Sequence, residues 1–226
     1  MTKIAIHQPM YLPYPGFFNK MKNVDIFVFL DDAKYSEGYY YNRNRIKTPK
    51  GILMLTVPIK KSSSQKLNQV EIANNIKWQK KHLKSLYANY SKAYHFKDYI
   101  EFFEEVYNTE WKTLQELNMK TLFYLIEKLN IDVPIYFSSD LLRDRAPSVK
   151  TQRIIDICQE LDADVYLSGI GGKNYLDKTL FEKNNIKLEY QNYVPKEYKQ
   201  LWGTFIPNLS VIDLLFNLGE NAKEVI

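Results

Sequence analysis

Hydrophobic and polar positions along this chain follow two different periods. Near both ends, short apolar runs are bounded by Pro, Gly, Asn or Asp, as buried strands are. They are Ile4-Ala5-Ile6, Asp25-Ile-Phe-Val-Phe-Leu-Asp31, Ile52 to Ile59, Val133 to Phe137, Asp164 to Ser168 and Ile186 to Tyr190. Thr48-Pro49-Lys50-Gly51 is a turn signal whose flanks can pair as a hairpin. From about Asn75 to Leu129 the spacing changes to helical: Trp78, His82 and Leu86 recur four apart, then Tyr99, Phe102, Phe103 and Val106, then Leu114, Leu117, Thr121, Leu125 and Leu129. Shorter helices are expected at Phe17–Lys22, after Ser148 as N-cap with Ile154, Ile155, Cys158 and Leu161 on its apolar face, at Tyr175–Lys183, and at Ser210–Leu218.

Strand–helix–strand order at both ends predicts an α/β fold with a mostly parallel sheet and helices on both faces. The scaffold is expected to be nucleotidylyltransferase- or Rossmann-like, with a helical middle block. With 226 residues, 45% of them hydrophobic, the chain can bury one core, and it is expected to form one α/β domain over 1–226, with 75–130 as a helical insertion or cap. The polar, serine-rich stretch Lys60–Gln65 is expected to be a mobile loop. The longest purely apolar run, Ile26–Leu30, is far too short to span a bilayer, and no secretory h-region follows Met1. The one cysteine, Cys158, excludes an internal disulfide framework and is expected in the core of a cytoplasmic protein. The net charge of +5 comes from dispersed lysines, which suits anionic small molecules better than nucleic acid.

Candidate chemistry gathers at four places. The first is the loop after the first strand, where prolines 9, 13 and 15 stiffen a segment carrying His7, Gln8, Tyr11 and Tyr14, with Lys20 soon after. Ligands of open α/β sheets bind beyond the carboxyl ends of strands, and a histidine there can act as a general base. The second is Asn42-Arg43-Asn44-Arg45. In an extended segment, Asn42 and Asn44 share one face and Arg43 and Arg45 the other, so one pair alone would meet a ligand. The third is Ser168-Gly169-Ile-Gly171-Gly172-Lys173-Asn-Tyr175, where glycines between a strand and a helix can offer N–H groups to an anion. It matches neither a Walker loop nor a dinucleotide fingerprint. The fourth is Asp31-Asp32 at a strand end, a place for Mg²⁺ only if both carboxylates turn inward. Three histidines and one cysteine have no zinc spacing, and His82 with Trp78 reads as core. His7, Asp31 and Gly169 each follow a predicted strand and are expected along one sheet edge.

Taken together, several of these motifs resemble the WbqC-like family of bacterial polysaccharide gene clusters. The resemblance rests on His7-Gln8-Pro9, Tyr11-Leu12-Pro13, Gly16, Lys20, Asp25, Phe27 to Asp31, Asn42 to Ile46 and Leu55-Thr-Val-Pro58, and later on Tyr166 to Gly169, Gly171-Gly172, Tyr175-Leu176 and Ser210 to Asn217. It implies work on sugar nucleotides of O-antigen-type glycans. A more distant likeness to nucleotidylyltransferases lacks their His-x-Gly-His motif, since the comparable loop reads Tyr14-Pro15-Gly16-Phe17. The leading expectation is a transferase that acylates or aminoacylates an amino-sugar nucleotide. His7 would serve as acid or base, and Arg43 or Arg45 with the Gly171-Gly172 turn would hold phosphate. A non-catalytic sugar-nucleotide binding module and an altered nucleotidylyltransferase are the alternatives, and the oligomeric state stays open.

Overall fold

Ile4, Ala5 and Ile6 are buried and form the centre of strand β1 (Lys3–His7). A computed structural model describes residues 1–60 and 65–226. Residues 61–64 of the expected mobile loop lie outside the described part. After β1 come α1 (Pro15–Lys22), β2 (Ile26–Phe29) and the hairpin of β3 (Arg43–Thr48) and β4 (Gly51–Thr56). Three helices follow, α2 (Trp78–Tyr90), α3 (Phe96–Asn108) and α4 (Leu114–Lys128). The chain continues through β5 (Ile135–Phe137), α5 (Ser138–Leu141), α6 (Lys150–Glu160) and β6 (Val165–Ser168). It ends with α7 (Lys178–Lys183), β7 (Lys187–Tyr190) and α8 (Val211–Leu218).

Two compact units emerge from this order. The first contains Met1–Gln8, Asn19–Ala33 and Asp132–Val194; the second contains Pro9–Phe18, Lys34–Ile131 and Pro195–Ile226. In the first unit a five-stranded sheet has the order β5-β2-β1-β6-β7, with every pairing parallel. Register places Ile4 opposite both Ile26 and Tyr166, and Ile6 opposite Val28, so these side chains share one face. That face packs with Ile154, Ile155 and Cys158 of α6 and Phe181 of α7 in one buried cluster. Tyr166 stacks on Phe181 with ring centres 5.6 Å apart. Each such fully buried side chain contributes about 1.5–3 kcal/mol. The sheet grows one way from β1 to β2 and β5, and the other way to β6 and β7. It therefore reverses direction between β1 and β6, the position where open α/β sheets form a ligand crevice.

The second unit holds the β3–β4 hairpin, the three middle helices and α8. Trp78, Leu86, Tyr90, Phe103, Leu117 and Phe216 are buried in it. Helix α4 starts at a capping box: Glu116 N–H donates to Thr113 Oγ1 at 3.2 Å, and Thr113 N–H donates to Glu116 Oε2 at 2.9 Å. Asp213, with no exposed surface, accepts from Tyr90 at 2.7 Å and Tyr198 at 2.6 Å. Two expected helix starts differ. Ser148 does not cap α6: its hydroxyl donates to Asp156, and Val149 occupies the N-cap position. The helix expected from Tyr175 begins at Lys178, because the Asp177 side chain accepts from Leu180 N–H and sets the start there.

Candidate functional site

Every strand of the parallel sheet runs the same way, so their carboxyl ends share one edge. That edge carries Asp31-Asp32 after β2, His7 at the end of β1, and Ser168-Gly169 after β6. His7 and Ser168 flank the reversal of strand order. His7 Nδ1–H donates to the Gln8 carbonyl at 2.9 Å, which leaves Nε2 as the acceptor nitrogen of the ring. The ring keeps a partly exposed edge but sits at depth; desolvation first, then the charge of Lys20, lowers its pKa to about 3 against the raising effect of Gln8. Imidazole with so low a pKa is neutral across the physiological range and is a weak base.

Lys20, in the last turn of α1, is 3% exposed. Among the described residues its ammonium has no carboxylate partner, and burial lowers its pKa from 10.5 to about 7. The last turns of α1 are tied to the same end of the sheet, since Gln191, just past β7, donates to Asn19 Oδ1 at 2.8 Å. Gln191 N–H also donates to the Ser168 carbonyl at 2.8 Å. A neutral histidine thus stands at the sheet's switch point, within electrostatic reach of a lysine poised near pH 7. Burying a cation without a partner is costly, and such arrangements concentrate where chemistry needs an uncharged amine.

The other expected residues of this unit have structural partners. Asp31 Oδ1 accepts from Ser138 Oγ at 3.1 Å and Ser139 N–H at 3.0 Å, and its Oδ2 from Ser139 Oγ at 2.7 Å. Asp32 accepts from Ser138 at 2.6 Å and pairs with Arg153. The pair fastens β2 to the start of α5 and to α6. Among the described residues no three His, Cys, Asp or Glu side chains gather as a metal site. The glycine turn is a short 3₁₀ segment, Ile170–Asn174, not an open nest. Gly172 N–H donates to the Gly169 carbonyl at 2.9 Å, and a Cβ on Gly172 would lie 2.1 Å from Ser168 Oγ. Glycine is therefore required there for close packing under the strand end. Gly171 and Tyr175 are exposed, and Lys173 lies over the Tyr190 ring at 5.3 Å.

In the second unit the Asn42–Arg45 segment is β3 and its approach, and it alternates as expected. Asn42 and Asn44 are buried, Arg43 and Arg45 only partly so. Asn44 Nδ2 donates to the carbonyls of Tyr11 at 3.2 Å and Leu12 at 2.7 Å, while its Oδ1 accepts from Arg45 N–H at 2.8 Å. It holds the proline loop, including Leu12 in its left-handed conformation with φ 46°. Asn42 Nδ2 donates to the Val57 carbonyl at 2.8 Å, and Arg43 to the Gly38 carbonyl at 2.5 Å. Tyr11 is no surface ligand: its buried hydroxyl sits 2.9 Å from His82 Nδ1 and 2.5 Å from Tyr107 Oη. Tyr14, Asn44 and Arg45 line one cavity of about 270 Å³ together with Tyr40 and Asn208. Sequence reasoning missed Tyr40 and Asn208. The only local sign was that Asn208 is an asparagine, a residue type that tolerates the positive φ (55°) found there.

The parallel sheet and its flanking helices define an α/β protein. Residues 8–225 match the WbqC-like protein family, and the chain belongs to that family. It is similar to the uncharacterized protein Rv1507c of Mycobacterium tuberculosis (strain ATCC 25618 / H37Rv), 36% identical over 230 residues that cover 99% of this chain and 97% of that protein. No solved structure matches the chain significantly.

Proposed function

We propose that this protein is a group-transfer enzyme of surface-glycan biosynthesis that acylates or aminoacylates the amine of an amino-sugar nucleotide. The observation that carries the reading is Lys20: a buried amine with a pKa near 7 and, among the described residues, no carboxylate partner, whose charge acts on His7 at the reversal of the sheet. In the reaction, the acceptor nitrogen attacks the carbonyl carbon of an activated acyl donor. The new C–N bond forms, the adduct loses a proton from nitrogen, and the donor's leaving group departs with the bonding pair. Neutral Lys20 takes that proton, a role for which a pKa near the working pH is best. His7, neutral, orients the acceptor by receiving one of its N–H hydrogens at Nε2. The base is thus assigned to Lys20, and His7 moves from base to positioning.

The WbqC-like membership supports the glycan setting through the gene-cluster association that the sequence motifs imply. The test is a mass-shift assay with amino-sugar nucleotides and activated acyl or aminoacyl donors. A product heavier than the acceptor by one acyl or aminoacyl group, lost in Lys20→Met, is the expected result. Saturable binding without any mass shift would make the protein a binding module. Pyrophosphate release from a nucleoside triphosphate and a sugar phosphate would point to nucleotidylyl transfer.

A further inference from the structure

The cavity of the second unit is built unlike a packing defect. Its wall residues are Tyr14, Tyr40, Asn44, Arg45 and Asn208, and none of them is aliphatic. Arg45 spends one N–H on the Asn208 carbonyl at 2.9 Å, and its guanidinium carbon lies 5.8 Å from the centre of the Tyr40 ring. Among the described residues its buried Nε has no partner, and neither has the buried Oδ1 of Asn208. Guanidinium has five N–H donors in a planar fork, so most of its capacity is unspent. Arg45 and Asn208, each with polar capacity unspent among the described residues, line one aromatic-sided cavity and together define a ligand by its chemistry. It must offer an oxyanion to Arg45 and a hydrogen-bond donor to Asn208 a few bonds away.

The chain around the cavity is braced to keep this arrangement. Asn44 is fixed by three hydrogen bonds, and Ser210 N–H donates to the Arg45 carbonyl at 2.8 Å. Asn208 holds a left-handed backbone, φ 55°, two residues before the cap of α8. We infer that this cavity is a binding site for a small hydroxylated oxyanion, held through Arg45 and Asn208 between the rings of Tyr14 and Tyr40. Both a sugar phosphate and a free hydroxy acid have that chemistry. The inference concerns the second unit alone and stands whether or not Lys20 acts as a base.

Isothermal titration of the full chain with glucose 1-phosphate, lactate and inorganic phosphate tests it without any turnover. Glucose 1-phosphate or lactate should bind more tightly than inorganic phosphate, and which of the two does so identifies the source. Asn208→Gly keeps the positive φ and removes the side-chain amide with its acceptor. It should weaken the hydroxylated ligand about fivefold to tenfold, the worth of one hydrogen bond, and leave inorganic phosphate unchanged. Arg45→Lys should weaken all anions, because a point charge cannot replace the fork. If that variant melts early, Tyr40→Leu removes one aromatic wall instead and should weaken the same ligand. The inference is overturned if inorganic phosphate binds as well as both hydroxylated anions. Wild-type binding by a folded Asn208→Gly protein overturns it too.

Discussion

Lys20 shows how a functional side chain works against the fold that holds it. Its pKa falls from 10.5 to about 7 on burial, so below pH 7 the native state carries a desolvated cation that the unfolded chain keeps in water. At about 1.4 kcal/mol per unit, the shift costs on the order of 5 kcal/mol below neutrality. Lys20→Met should therefore raise the urea midpoint at pH 6, with the gain shrinking toward pH 10, while turnover is lost. A variant less stable than wild type at pH 6 would show that the ammonium has a partner in solution. His7→Asn supplies the contrast. In the transfer assay its pH–rate profile should keep the ascending limb near pH 7 that belongs to Lys20, with turnover reduced, whereas Lys20→Met should show no turnover at any pH. Sequence alone pointed to both residues but weighted them differently. A histidine after a strand is conspicuous, whereas a lysine in a short helix looks solvated until the packing around it is known.

At the scale of elements, local pattern accounts for most of what forms. The period of the middle block foretold α2, α3 and α4, and the turn signal at Thr48–Gly51 foretold the β3–β4 hairpin. Loop chemistry was harder to see, because it depends on groups distant in sequence. The Gly171-Gly172 turn reads as an anion nest until the Ser168 hydroxyl is placed 2.1 Å from where a Gly172 side chain would begin. Gly172→Ala should accordingly lose about 1–3 kcal/mol of stability, the usual cost of overpacking, rather than a specific loss of anion binding. Asn44 is the matching case on β3. Its amide satisfies the Tyr11 and Leu12 carbonyls across more than thirty positions of sequence. Asn44→Ala would leave buried carbonyls and the Arg45 N–H unmet, at about 1–3 kcal/mol for each group. Urea denaturation should show Asn44→Ala falling further than Asn23→Ala, whose side chain makes one exposed bond to Asn19.

For the molecule as a whole, the α/β class and parallel strands followed from the order of elements, but the sheet order did not. Nothing in the Ile4–Ile6 or Asp164–Ser168 runs says that β1 pairs with β6, since that pairing joins segments some 160 residues apart. Burial across the fold has a consequence that can be measured on the intact protein. His7 and His82 titrate at about 3 and about 4 in the native state against 6.5 when unfolded, both from desolvation, so stability rises with pH through the acid range. Asp213, raised by burial from 3.8, opposes them at the acid end. Between pH 7 and 9 Lys20 dominates: the unfolded chain still binds its proton and the native state has released it, so stability climbs further, by at most about 1.4 kcal/mol per pH unit. Above 9 the direction reverses, because Cys158 is pushed from 9.0 to about 12 and the buried Tyr11 and Tyr90 hydroxyls are pushed up as well. The urea midpoint should thus peak near pH 9, well above the usual optimum between 5 and 8. A profile that is flat or falling from pH 7 to 9 would mean that Lys20 keeps its proton in the folded protein, and the proposed base would have to be another group.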